Sequence, residues 1–176
     1  MDASTLLRDQ LRDAHAALER TVAGLGEAEL GWIPPGTANP IGATLAHVVV
    51  AEDVLVHAIF QGCAPLLAST WAGRTGLSEP MPMPGPGWGD YPAWTRRLRV
   101  DLDVLMAYAH ATWASSDAWL GSLADDDLDR ALDLAALGQG GRTRGWAAAR
   151  LLVAHCDSIN GEIACLKGLQ GRGGYG

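Results

Sequence analysis

Two ionisable side chains interrupt the apolar face of the stretch from Trp146 to Gly171. At roughly 100° per residue, Ala148, Leu151, Leu152, Ile159, Ile163, Leu166 and Leu169 form one stripe. His155 and Glu162 fall on that same stripe. A second apolar stretch, residues 40–61, repeats the anomaly: Glu52 lies among Ile41, Leu45, Val48, Leu55 and Ile59, with His47 at the boundary of that face. Buried charge without a partner costs several kcal/mol, so these groups must meet something. Imidazole nitrogen with carboxylate oxygen is a donor set suited to Zn, Ni, Fe or Mn. Helix bundles build metal sites from His and Glu projecting off facing helices. The four residues His47, Glu52, His155 and Glu162 equally suit a buried hydrogen-bond network joining two helices. Neither an H-x3-H nor an H-E-x-x-H pair is present, so spacing alone does not choose between the two.

Other chemistry is weaker. His15 sits at the edge of the first helical stripe, where it reads as a structural residue. Asp53 and His57 share the opposite side of their helix from the apolar face and read as a local surface pair. Asp103, His110 and Asp117 repeat on an outward face that reads as solvated. No G-x-S-x-G occurs, and Cys156 lies on an apolar side with no base nearby in sequence. The run Gly138-Gln139-Gly140-Gly141 follows no strand, which argues against a phosphate loop. Asp125-Asp126-Asp127 lacks the D-x-D-x-D-G spacing of a calcium loop, and helix capping explains it better.

Four helical stretches must position these residues: about 3–25, 40–61, 92–120 and 143–169. The second is apolar nearly all round and should be the most buried. No stretch reads as a strand, so the expected architecture is all-α, a four-helix bundle with a long loop between its second and third helices. The short first connection suggests that helices one and two are antiparallel neighbours. Residues 62–91 carry Leu66, Leu67, Trp71, Met81, Met83 and Trp88, which suits either a lid over one end of the helices or a filler of an irregular gap. One domain spans 1–176, with 171–176 as a tail.

Bulk properties bound the function. A formal net charge of −7 with only 13 basic residues excludes nucleic acid as the expected partner. Three cysteines without a CxxC spacing form neither a disulfide framework nor a zinc knuckle. No apolar signal core begins the chain and no uninterrupted apolar run is long enough to span a bilayer, so a cytoplasmic protein without membrane contact is expected. Seven tryptophans against one phenylalanine suit pockets and interfaces, where an indole N–H finds a partner.

The segments NPIGATLAHVVVAEDVLVHAIFQG, PLLASTWAGRTGLS and HCDSINGEIACLKGLQG resemble the DinB-like superfamily, and the G-E-I-x-x-L-K-G-L-Q-G ending is the most specific part. The resemblance implies a four-helix bundle, often dimeric. It implies a divalent metal held by three histidines in many members, one on the second helix and an H-x3-H pair on the fourth. Related members include thiol-dependent transferases and isomerases using mycothiol or bacillithiol. His47 matches the second-helix ligand and His155 the first of the fourth-helix pair. The second of that pair falls on Ile159, so the pattern is broken there.

Three functions follow as expectations. One is a bundle with a degenerate metal site and a small-molecule pocket between helices two and four. Another is a metal-dependent thiol transferase or hydrolase using His47, His155 and a glutamate, Glu52 or Glu162. The third is a non-catalytic helical module that forms a homodimer.

Overall fold

The computed structural model describes residues 2–83 and 89–175, so Trp88 lies outside the described residues. The chain is mainly helical. Helix α1 spans Ala3–Val22, capped by Asp2, whose carboxylate accepts the Thr5 N–H at 2.7 Å. A four-residue helix α2, Glu27–Leu30, interrupts the first connection. Helix α3, Ile41–Asp53, runs without a break into a π-helical segment, Val54–Phe60. Beyond the long connection come α4, Tyr91–Arg97, and α5, Leu102–Gly121. A short α6, Asp125–Leu128, precedes strands β1, Ala131–Asp133, and β2, Gly141–Thr143. Helix α7, Arg144–Ala147, leads through a second π-helical segment, Ala148–Val153, into α8, Ala154–Leu169.

Helix α1 packs on α5 and α8, and α3 packs on the same two. The first two long helices are therefore diagonal rather than neighbours, which corrects the expectation drawn from the short connection. Apolar side chains facing the centre hold this arrangement: Leu18, Leu45, Leu105 and Ile163 are completely buried. The run Ile41–Phe60 is long and apolar enough to cross a membrane by composition, with mean hydropathy 1.6, yet 72% of it is buried inside the fold. It is the core helix, as its all-round apolar character requires.

Two further departures have clear causes. The third long helix is broken between Leu98 and Asp101, because Val100 leaves the helix to form a β-bridge with Leu77 of the long connection. Asp101 donates its N–H to Gly76 O and caps α5 by accepting the Val104 N–H. Gly76 has φ +79°, and a Cβ there would meet Asp101 O at 2.7 Å and Leu105 N at 2.6 Å, so only glycine lets the backbones approach. The β1–β2 hairpin was not legible because its residues are exposed or half-buried and carry no alternating apolar pattern. The acidic run before it is a capping device: Asp127 accepts the Ala124 N–H, and Asp125 accepts the Ala3 and Ser4 N–H groups at the start of α1.

Candidate functional site

Helices α3 and α8 bring His47 and His155 together. Their rings meet edge to face, with centroids 5.1 Å apart and an interplanar angle of 82°. Tyr91, from α4, closes the row with its ring 5.9 Å from that of His47. Burial pushes the His47 imidazole down to about 4, and the neighbouring His155 adds to the effect. His155 is lowered too, by burial first, with Glu52 opposing and Arg150 reinforcing the shift. The pair is therefore neutral at physiological pH. Burial, then the charge of Glu162, raises the Tyr91 phenol to about 12, so it keeps its proton.

The two glutamates do not join the pair. Glu52 is 3% exposed, and both its oxygens are engaged elsewhere. His15 Nε2 meets Oε2 at 2.9 Å, and the Ser116 hydroxyl donates to Oε1 at 2.5 Å. His15 is stacked on Trp113 at 4.5 Å. So His15 is a full member of a buried His15–Glu52–Ser116 network that links α1, α3 and α5. Glu162, placed on the buried stripe by its spacing, is exposed; Thr44 donates to it at 3.5 Å. The apolar spacing carries it inward because Leu169, on the same stripe, is itself exposed, while the buried face of α8 is completed by Asn160 and Lys167, which an apolar count leaves out.

Asp53 and His57 are likewise not a surface pair. Asp53 is fully buried and accepts from the Leu66 and Leu67 N–H groups, each at 2.9 Å, and from the Tyr108 hydroxyl at 2.6 Å. His57 Nδ1 lies 2.7 Å from the same carboxylate. A helix apolar all round is covered all round, and the long connection supplies that cover. His110 is exposed and meets Glu19 at 2.9 Å, in keeping with a solvated face. Burial pushes the Cys156 thiol up, which leaves it a poor nucleophile.

A metal held by three protein ligands does not fit the residues present. Among the described residues, no group of three His, Cys, Asp or Glu side chains converges. Ile159, one turn beyond His155, is buried in the hydrocarbon core where the third imidazole of the family pattern would stand. A ligating histidine also needs an acceptor for its second ring N–H. His47 Nδ1 is buried with no hydrogen-bond partner among the described residues. An acceptor nitrogen is less costly to orphan there than an N–H, so the proton belongs on Nε2, where a metal would need a lone pair.

Beside the pair opens a cavity of about 650 Å³, lined by both imidazoles. Both π-helical segments contribute to its wall: Val54, Leu55 and Ile59 from the first, Arg150 and Leu151 from the second. Such segments recur at functional sites because they re-aim side chains out of helical register. Met81 and Met83 of the long connection reach the cavity, as do Leu137 and Gln139 from the β1–β2 hairpin. Spacing did not single out Tyr91, Gln139, Arg150 or Ser158. Ser158, three residues from His155, was within reach of helical periodicity; Arg150, five residues before it, needed the π geometry.

A model of the DinB superfamily matches residues 10–157, most of the chain. A crystal structure of a conserved protein from Enterococcus faecalis is similar to this one with TM-score 0.79 at 20% identity, covering 96% of this chain and 97% of that one. At that identity the likeness is one of fold. No curated protein matches the sequence. Matched over most of its length by the family model, the chain belongs to the DinB superfamily.

Proposed function

We propose that this chain is a four-helix bundle with a degenerate metal site, whose function is to bind a small molecule in the cavity beside His47 and His155. The observation that carries the reading is the pair itself. Two neutral imidazoles face each other at 5.1 Å at the wall of a 650 Å³ cavity, with Ile159 in place of a third donor. The cavity falls in the size range of small-molecule sites, and its wall is mostly apolar with a few polar groups, as such sites are built. A metal-dependent transferase or hydrolase that took its oxygen ligand from Glu52, rather than from the exposed Glu162, would need Glu52 to abandon both His15 and Ser116. That exchange would strand a buried imidazole, at a cost of several kcal/mol.

The test is the metal content of protein purified without an affinity tag. Substoichiometric metal, with unchanged thermal stability after chelation, is the expected result. One metal per chain, lost in both His47→Ala and His155→Ala, would overturn the proposal and favour the metalloenzyme.

A further inference from the structure

The charge at the cavity is unlike the charge of the chain. Acidic residues outnumber basic ones by 20 to 13 overall, yet among the described residues the cavity lining contains no aspartate or glutamate. Among the described residues its one formally charged side chain is Arg150. That guanidinium is exposed and has no ion pair among the described residues, and its place in the cavity lining sets it apart from the other unpaired arginines. Gln139 adds an amide with two N–H donors. The Ser158 hydroxyl spends its proton on Ala154 O at 2.7 Å and offers only lone pairs. His47 adds a neutral imidazole to the wall, its Nδ1 buried with no hydrogen-bond partner among the described residues. Donors outnumber acceptors around the cavity, and the rest of the wall is hydrocarbon and thioether: Val54, Leu55, Ile59, Met81 and Leu151.

Resting on the reading of this cavity as a ligand site, we propose that its ligand is a small organic monocarboxylate with an apolar body, its carboxylate held by Arg150 and its body lying along Leu55, Ile59 and Leu151. A planar guanidinium fork matches a carboxylate in geometry as well as charge. An ammonium head would meet repulsion from Arg150 and find no anion. The methionines let the pocket adapt to bodies of different shape, since thioether side chains repack at low cost.

Isothermal titration with three probes of one chain length decides the matter: decanoate, decanol and decylammonium. Decanoate should bind one per chain, with decanol and decylammonium weaker by about tenfold or more, the ratio expected for a charge-assisted contact. Arg150→Ala should remove that preference, bringing decanoate down to the level of decanol, while Arg150→Lys retains part of it. Added salt should weaken decanoate and leave decanol unchanged. Equal binding of decanoate and decanol, or an Arg150→Ala protein that still prefers decanoate, would overturn the assignment of the ligand class. The cavity itself is tested separately by Leu151→Trp, which fills it. If decanol binds and Leu151→Trp abolishes that binding, the pocket stands and only the carboxylate inference is lost. If no probe binds either protein, both readings fail.

Discussion

The imidazole of His155 stands edge-on to that of His47, ring centroids 5.1 Å apart, with helices α8 and α3 antiparallel around them. Their sequence separation gives no local hint of this contact; it exists because the two helices share one face of the core. The pair sits next to a cavity and shares no hydrogen bond with the buried Glu52 or Asp53, whose partners lie elsewhere, although the Glu52 charge reaches His155.

Asp53 fastens the long connection to the core helix. Its carboxylate takes two backbone N–H groups, the Tyr108 hydroxyl and His57. Asp53→Ala strands the two N–H groups and the Tyr108 hydroxyl, while His57 Nδ1 keeps the backbone carbonyl of residue 53 at 3.0 Å, and a loss of about 3 kcal/mol in unfolding free energy is expected. Limited proteolysis should show new cleavage between residues 62 and 80 in the variant. A stability within experimental error of wild type would contradict the anchoring role.

The His15–Glu52–Ser116 network predicts a non-additive pair of substitutions. His15→Leu leaves the Glu52 charge facing hydrocarbon and should cost about 3 kcal/mol. The double variant His15→Leu, Glu52→Leu removes the charge as well and should recover most of the loss, since apolar replacements of buried ion pairs are often neutral. Denaturant titration of the two singles and the double measures the coupling. Strict additivity would show that the two side chains do not interact.

Asp117 governs part of the acid stability. Arg8 grips it with Nε at 2.8 Å and a terminal nitrogen at 2.6 Å, and Arg12 adds a second grip with Nε at 2.5 Å. Hydrogen bonds from Arg8 first, then Arg12, hold this carboxyl well below the ordinary aspartate value of 3.8. The folded state therefore keeps the proton off where the unfolded chain takes it up. The contribution is complete above about pH 4 and fades as the pH falls below it. The cluster is partly open to solvent, so screening limits it to about 1 kcal/mol. Asp117→Asn should flatten the pH dependence of the melting temperature below pH 4, and high salt should mimic it. An unchanged acid limb would sink this account.

Much of the fold could be read from the residues, and the reasons for the rest are physical. Apolar periodicity located the long helices because each buries one continuous stripe. It could not see the break at Val100, which is made by a long-range bridge to Leu77 rather than by any local signal except the cap at Asp101. The G-E-I-x-x-L-K-G-L-Q-G ending earns its specificity structurally: Lys167 is buried and donates to Thr21 O at 2.6 Å, tying α8 to the last turn of α1. At the site, His47 and His155 were legible as a facing pair, and Ile159 as the gap beside them. Glu52 reads as a core residue and is one, whereas its partner His15 reads only as the edge of a stripe, because a contact across the diagonal has no signature in either helix. Glu162 reads as inward because exposed Leu169 counts toward its stripe, whereas Arg150 escapes the plot for a different reason. The π-helical segments at Val54–Phe60 and Ala148–Val153 change the angular step, so a 100° plot loses register where the cavity wall is built.

The central claim is that His47 and His155 form a coordination pocket short of one ligand. Zinc titration by calorimetry of wild type and Ile159→His tests it most directly. No tight stoichiometric binding to wild type is expected, and one zinc per chain in Ile159→His, lost again when His47→Ala or His155→Ala is added. Wild type that itself takes up one zinc per chain through these histidines, or an Ile159→His protein with no gain in affinity, would contradict it.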